Sequence, residues 1–291
     1  MISDITNTWV PSMRRYIDEE ALMKLIQRQG YLDFLRRNRE RPIIKVVSGI
    51  RRCGKSTLFR LFKDELLADN VKPEQIISIN FEELEYEHLR DYHALYQYIL
   101  ERMQPNETNY IFLDEIQHVD QFHRVVDSLF VKENTDLYIT GSNAYFMSSD
   151  IATLLTGRYV EIQMLPLSFS EFYHSKYEGN QYSLIPAYEA YLRESSFPYT
   201  QQLGGEDFDI QEYLRGLYNT LLLHDVVARL KINDVTILQD IVRYIMANVG
   251  SLLSPNKIAN SLVSAGRKID NKTVERYLQG LQDSLLLYKV N

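Results

Sequence analysis

The sequence has little of what several protein classes are built from. Among its 291 residues there is one cysteine, Cys53, so an intrachain disulfide and a cysteine-ligated metal centre are both excluded. Glycine (12) and proline (8) are sparse, which removes collagen-like and low-complexity chains, and neither an internal repeat nor a Gly/Ser-rich linker is found. No apolar run approaches the roughly 20 residues that cross a bilayer as a helix. The opening MISDITNTWV lacks a basic segment followed by an apolar one, so no signal peptide is expected. Positive charge is also short, 32 Lys and Arg against 39 Asp and Glu, a formal charge of −7. That argues against wholesale wrapping of nucleic acid and leaves one local basic face open. What remains is an ordinary globular composition, 45% hydrophobic and 24% charged, in a chain long enough for a large core and two domains. A cytoplasmic protein with no membrane contact is the expectation.

The informative stretch is Ile43 to Leu61, IIKVVSGIRRCGKSTLFRL. Ile43, Ile44, Val46 and Val47 have the length and β-branching of a buried strand. The run breaks into Gly49-Ile50-Arg51-Arg52-Cys53-Gly54-Lys55-Ser56, which meets G-x-x-x-x-G-K-[ST] at every fixed position. Thr57, Leu58, Leu61 and Phe62 continue at helical spacing. Gly49 and Gly54 free the backbone so that successive N–H groups can face a phosphate, and the helix that starts there adds its own positive end. Lys55 is then the candidate for the β- and γ-phosphates and the Ser56 hydroxyl a ligand of Mg²⁺. Because Cys53 sits inside this loop, thiol alkylation is expected to block nucleotide binding.

A second half-site follows 65 residues beyond Gly49, where Tyr110-Ile-Phe-Leu ends in Asp114-Glu115. A strand ending this way holds Asp114 against the Mg²⁺ shell and puts Glu115 where it polarises water for in-line attack. Leu137-Tyr-Ile-Thr140-Gly-Ser142-Asn143 is another apolar strand ending in small polar groups. In a parallel sheet its carboxyl end lies by the phosphate loop, so Thr140, Ser142 and Asn143 are candidates to sense the γ-phosphate. Arg158, before the strand Tyr159–Gln163, is the candidate to neutralise transition-state charge, within its own subunit or from a neighbour. A surface ion pair explains Arg158 equally well. His118 and His123 do not share a helical face, and no metal site is expected there. The acids Glu82, Glu83, Glu85 and Glu87 read as a solvated loop.

The expected organisation is a mostly helical lead-in (1–41), an α/β phosphate-loop core (42–185), a helical connector or lid (186–234) and a last region (235–291). In the lead-in, Gly30 is expected to stop one helix before another begins at Tyr31. Near 231 the residues Asp225, Arg229 and Lys231 make a nucleotide-sensing lid conceivable. The final region shows three helical patterns with short turns and an apolar stretch Ser284–Val290 that reads as a strand, the outline of a winged helix-turn-helix. Its last 41 residues hold six basic against three acidic side chains, a balance of +3 that leaves −10 for the rest. Residues 254–291 are therefore candidates for contact with double-stranded DNA, or with a protein. A wing needs a returning strand, so a fragment that continues beyond Asn291 is expected.

Taken together, GIRRCGKST, YIFLDEIQ, ITGSNA, LLTGRYVEIQMLPLSFSEF and the stretch from HDVVARLKI onward resemble a group of prokaryotic AAA-type ATPases. These carry a helix-turn-helix region and, usually, a further C-terminal domain of unknown function with a nuclease-like outline. The likeness runs from about Arg14 to the end. It implies ATP and Mg²⁺ as cofactors, an α/β P-loop NTPase fold of the additional-strand class, and helices on both faces of a parallel sheet. By matching position it assigns Lys55 and Ser56 to phosphates and metal, Asp114 to metal, Glu115 to water and Asn143 to sensing. The resulting expectation is Mg²⁺-dependent ATP binding and hydrolysis transmitted to a winged-helix region, with an oligomer as one form of the machine. A non-hydrolysing, ATP-gated binding module is the alternative. A kinase is disfavoured by the Asp-Glu pair and the long helical tail. A GTPase is disfavoured because the chain lacks Asn-Lys-x-Asp.

Overall fold

The computed structural model describes residues 25–141, 155, 157–177, 182–203, 207–221, 226–227 and 230–289. Five strands form one sheet: β1 (Ile44–Gly49), β2 (Ile76–Asn80), β3 (Asn109–Asp114), β4 (Thr135–Gly141) and β5 (Tyr159–Met164). Every neighbouring pair is parallel, in the order β2-β3-β4-β1-β5. β4 therefore lies between the phosphate-loop strand and the Asp114 strand, the additional-strand order. β1 and β3 are buried along their whole length, as strands covered on both faces must be, which is why they read as unbroken apolar runs. β2 and β5 are the edges, and their alternating or partial burial shows it.

Helices cover both faces. On one side Ile44, Val46, Ile111, Leu113, Leu137 and Ile139 pack under α3 (Tyr92–Arg102) and α4 (Phe122–Phe130). On the other, Val47, Phe112 and Tyr138 meet Leu58, Phe59, Phe62 and Leu66 of α2 (Lys55–Ala68), with Leu32 and Leu35 of α1 (Gln29–Asn38). The Phe112 and Tyr138 rings stack at 4.7 Å, and Phe59 stands edge-on to Phe112 at 5.2 Å. α1 begins at Gln29, after the non-helical residues 25–28, so a helix starts within two residues of the expected Tyr31, the usual spread of a helix boundary; most of the helix expected before Gly30 lies outside the described residues.

α5 (Phe169–Tyr177) and α6 (Leu184–Glu194) pack through Phe172, Ala190 and Tyr191. Ser168 and Glu171 form a capping box, the Glu171 N–H donating to Ser168 Oγ at 3.2 Å and the Ser168 N–H to Glu171 Oε2 at 2.8 Å. α7 (Asp207–Thr220) follows. The last region contains α8 (Val235–Met246), α9 (Pro255–Ser264) and α10 (Asn271–Asp283). Each is started by a side chain that accepts a free N–H, namely Asp234, Ser254 and Asp270, as helix N-termini require. They share a core built on Leu238, Ile241, Ile258, Leu262, Val274 and Tyr277.

The strand expected over Ser284–Val290 is not formed among the described residues 284–289. The N–H groups of Leu286 and Leu287 instead return to the Leu281 carbonyl, at 3.0 and 3.2 Å. Leu285, just before them, takes a left-handed conformation, φ 57°. The physical reason lies in where the leucines go. Leu285 is buried in the core beneath the sheet, Leu287 packs on the three-helix core, and Leu286 touches both. A strand would send alternate side chains to two faces of one sheet, and no sheet edge is present here to receive it. The expected Asp225 and Arg229 of a lid and most of the lead-in lie outside the described residues.

Candidate functional site

The parallel order brings the carboxyl ends of β3, β4 and β1 together. Ser48 is level with Gly141, and Gly49 with Met164 of β5. A Cβ on Gly49 would sit 2.3 Å from the Met164 carbonyl oxygen, so only glycine allows the loop to leave the sheet at this point. Arg52 (φ 65°) and Gly54 (φ 105°) turn the chain through left-handed conformations. Gly54 then stands as the residue before α2 with no side chain to cap it. The first-turn N–H groups are thereby left pointing out of the helix end, the donor set an anionic phosphate takes.

Lys55, the first residue of α2, is only 4% exposed. Its Nζ lies 3.0 Å from Glu115 Oε1 and donates to the Gly49 and Ile50 carbonyls at 3.3 and 3.5 Å. Asp114 is buried at the end of β3, where it receives the Thr140 hydroxyl and that of Ser56. Glu115 is left-handed, φ 54°. Its N–H donates to Thr140 Oγ1 at 2.9 Å, and its Oε2 accepts the Gln117 amide. Burial pulls the Lys55 ammonium down, but the Glu115 carboxylate, with Cys53 and Asp114 adding, carries its pKa above the ordinary value. Burial raises Asp114, opposed by the Ser56 and Thr140 hydroxyls. Glu115 is also opposed by burial, yet Lys55 and Gln117 hold it below the ordinary carboxylate value. The arrangement is a charged carboxylate beside a charged lysine at the mouth of a phosphate loop.

Ser56 and Asp114 are hard oxygen donors that already share a hydrogen bond. One hydroxyl and one carboxylate suit Mg²⁺, which keeps waters and takes its remaining ligands from phosphate. The donor set therefore fits the expected ion. Ile50, Cys53 and Thr57 line cavities rather than facing solvent. Thr57, Cys53 and Gly54 border a small cavity of about 70 Å³ closed by Ile26, Met164 and Pro198. Ile50 borders a separate cavity of about 710 Å³, whose far wall includes Leu285 and Tyr288. Arg51 pairs with Glu82 at 3.2 Å, so one member of the acidic run is tied to the loop.

The structure bears on two expectations, those for Cys53 and Arg158. Cys53 is fully buried among Leu58, Phe59 and Val47, and burial raises its thiol pKa. It is a core residue and is not a reactive thiol, so the expected alkylation is withdrawn. Arg158 precedes β5, whose Tyr159 is level with Ile44 at the start of β1. That is the amino end of the sheet, five residues of strand away from Gly49, so Arg158 does not face its own phosphate loop. Its guanidinium pairs with Asp127 at 2.8 Å. Ser142 and Asn143 lie outside the described residues; Thr140, just before them, is in place on Asp114.

One residue escaped the sequence. Arg28 is 5% exposed and donates to Glu171 Oε1 and Oε2 at 2.8 and 2.9 Å, to the Leu165 carbonyl at 2.6 Å and to the Cys53 carbonyl at 3.3 Å. It ties the segment before α1 to the back of the phosphate loop and to the capping box of α5. No local pattern marks such a residue, because its partners are up to 143 positions away.

A loop of this form, set in this strand order beside an Asp-Glu strand end, defines an α/β P-loop NTPase fold. Residues 41–173 match the family model described as an AAA domain, and residues 185–291 match a domain of unknown function, DUF8612. An uncharacterised protein of Haemophilus influenzae is 38% identical over 268 residues, 91% of this chain and 66% of that protein. The uncharacterised protein MJ1544 of Methanocaldococcus jannaschii is 31% identical over 267 residues, 85% of this chain and 56% of the relative. The chain thus spans about two thirds of one relative and a little over half of the other. The Walker-type ATPase PABY2304 of Pyrococcus abyssi shares the fold, with a TM-score of 0.61 at 17% identity over 89% of each chain. Among the described residues no helix is long and apolar enough to cross a membrane.

Proposed function

We propose that this chain binds ATP with Mg²⁺ and hydrolyses it, and that the cycle is transmitted to residues 235–291. The observation that carries this reading is the convergence of Lys55, Ser56, Asp114 and Glu115 at one end of the sheet, with Lys55 Nζ 3.0 Å from Glu115. Phosphate oxygens entering the loop compete with Glu115 for Lys55. The loop N–H groups and Lys55 orient the γ-phosphate, Ser56 and Asp114 hold the Mg²⁺, which supplies charge neutralisation when bound, and Glu115 accepts a proton from the attacking water. Placement of Glu115 beside Asp114 favours hydrolysis over gating alone. Asn143 takes the sensing role, and Arg158, at the wrong end of its own sheet, serves only the site of a neighbouring subunit.

Transmission has a physical route. Ile50 of the loop and Leu285 of the C-terminal segment share one core, so a shift of the loop on phosphate binding is felt by the three-helix unit. The load is double-stranded DNA or a protein, taken through residues 254–291 in a helix-turn-helix arrangement. Phosphate release from ATP with Mg²⁺, with and without duplex DNA, tests the reading. DNA-stimulated turnover supports a nucleic-acid machine, turnover indifferent to DNA points to a protein partner, and ATP binding without turnover replaces hydrolysis by gating.

A further inference from the structure

The carboxylate of Glu115 is held by two groups of different kinds. Oε1 faces Lys55 at 3.0 Å, while Oε2 accepts from Gln117 Nε2. Residues two apart do not face each other on a regular helix. Here they meet because Glu115 is left-handed and is followed at once by the short 3-10 turn Ile116–His118, which swings residue 117 back over residue 115. The turn is fixed on both sides, by the Glu115 N–H on Thr140 and by Ile116 in the core. An ionised carboxylate only accepts, so the amide must turn its NH₂ toward Glu115. That leaves Gln117 Oε1 on the other side, buried and without a partner among the described residues.

The two carboxylate oxygens therefore have different futures. When a phosphate draws Lys55 away, Oε1 loses its partner and becomes the atom free to take a proton from water. Oε2 keeps its neutral partner, which no phosphate competes for. We infer that Gln117 is the positioning residue of the hydrolytic site: it anchors Glu115 through Oε2 so that Oε1 stays aimed at the attacking water once Lys55 has left. In the step it serves, water oxygen bonds to the γ-phosphorus and the bond to the β–γ bridging oxygen breaks. One water proton goes to Glu115 Oε1, yielding ADP and phosphate. Gln117 gives up and receives no proton. This inference rests on the hydrolytic reading above.

The test is a kinetic cycle on the full chain with ATP and Mg²⁺, comparing wild type, Gln117→Leu, Glu115→Gln and the double variant, with ATP affinity measured on each. Gln117→Leu is expected to lower kcat about 10- to 100-fold, within the range of a general-base contribution, and to leave the ATP Kd within about twofold. Because the two residues act as one unit, the double variant is expected to be no slower than Glu115→Gln alone. Gln117→Asn, which keeps an amide but falls one methylene short, gives the same split should the leucine variant fail to fold. A Gln117→Leu enzyme with wild-type kcat overturns the inference, as does a loss confined to Kd or a double variant whose defects multiply. A wild type that binds ATP and never releases phosphate overturns the hydrolytic reading and this inference together. That failure is seen in the parent protein, before any substitution is compared.

Discussion

Two buried lysine–acid pairs sit at opposite ends of the same sheet, and they are built differently. At the amino end, Lys45 of β1 meets Asp136 of β4 with both side chains essentially out of solvent. Lys45 Nζ also donates to the Arg41 carbonyl at 2.9 Å. Asp136 further accepts the Glu40 N–H at 2.8 Å and the Tyr138 hydroxyl at 2.7 Å. At the carboxyl end, Lys55 meets Glu115 at 3.0 Å, and its other contacts are stretched to 3.3 and 3.5 Å. Beside it, Gln117 Oε1 and His118 Nε2 are buried with no partner among the described residues. The acid of the first pair is saturated by three donors, while the second pair has long carbonyl contacts on its lysine and unused side-chain atoms beside it. Burial lowers the Lys45 pKa despite Asp136, whereas Lys55 ends above its ordinary value, held charged by Glu115 and Asp114. A saturated pair holds strands in place; an unsaturated one, set against an open loop, is arranged for a ligand.

The comparison breaks most visibly with isosteric neutralisation of each acid. Asp136→Asn leaves Lys45 buried beside an amide whose NH₂ faces donors, and should cost about 3–5 kcal/mol, read as a lower denaturant midpoint. Glu115→Gln should cost little stability, since Lys55 retains Asp114 and two carbonyls, while turnover falls about 100-fold or more with ATP binding kept. Comparable stability losses from the two substitutions would erase the distinction between the ends. Leu285→Ala tests whether the C-terminal segment belongs to the sheet's core; truncation of a leucine buried there should cost about 2–4 kcal/mol and destabilise the P-loop domain along with the helices.

Smaller effects sharpen the picture. The Glu171 carboxyl is raised by burial but held below its ordinary 4.5 by Arg28 and by Ser168. A depressed folded pKa means that its stabilisation is complete above about pH 5 and is lost as pH falls through the folded value. Melting of wild type should therefore drop more steeply in acid than that of Glu171→Gln, and parallel acid profiles would contradict the tie. Arg158→Ala removes a half-exposed ion pair with Asp127 and should shift stability by no more than about 0.5 kcal/mol. Turnover at dilution, where subunits are apart, should be unchanged, and a loss there would return Arg158 to its own site.

Much of the site was legible because its chemistry is local. A phosphate loop must join a strand to a helix within a few residues, and an Asp-Glu pair must end a buried strand, so Gly49–Ser56 and Asp114–Glu115 could be read in place. What failed was non-local. Arg28 is defined by Glu171, Leu165 and Cys53, which adjoin it only after folding. Leu285–Leu287 have strand-like composition, yet their destinations are two different cores. Cys53 lies in a loop by sequence and in the core by geometry. For Arg158, topology selects among the alternatives left open: a residue preceding a parallel strand lies at the sheet's amino end, away from a ligand held at the carboxyl end of the same sheet.

The central claim is that Glu115, beside Lys55, turns bound ATP over. Single-turnover cleavage of ATP with protein in excess and Mg²⁺ present, run on wild type and Glu115→Gln with binding measured in parallel, tests it most directly. The account predicts that both proteins bind ATP with similar affinity and that only the wild type releases phosphate. Equal cleavage by the two would show that Glu115 does not serve the water, and binding without cleavage in the wild type would make the chain an ATP-gated switch.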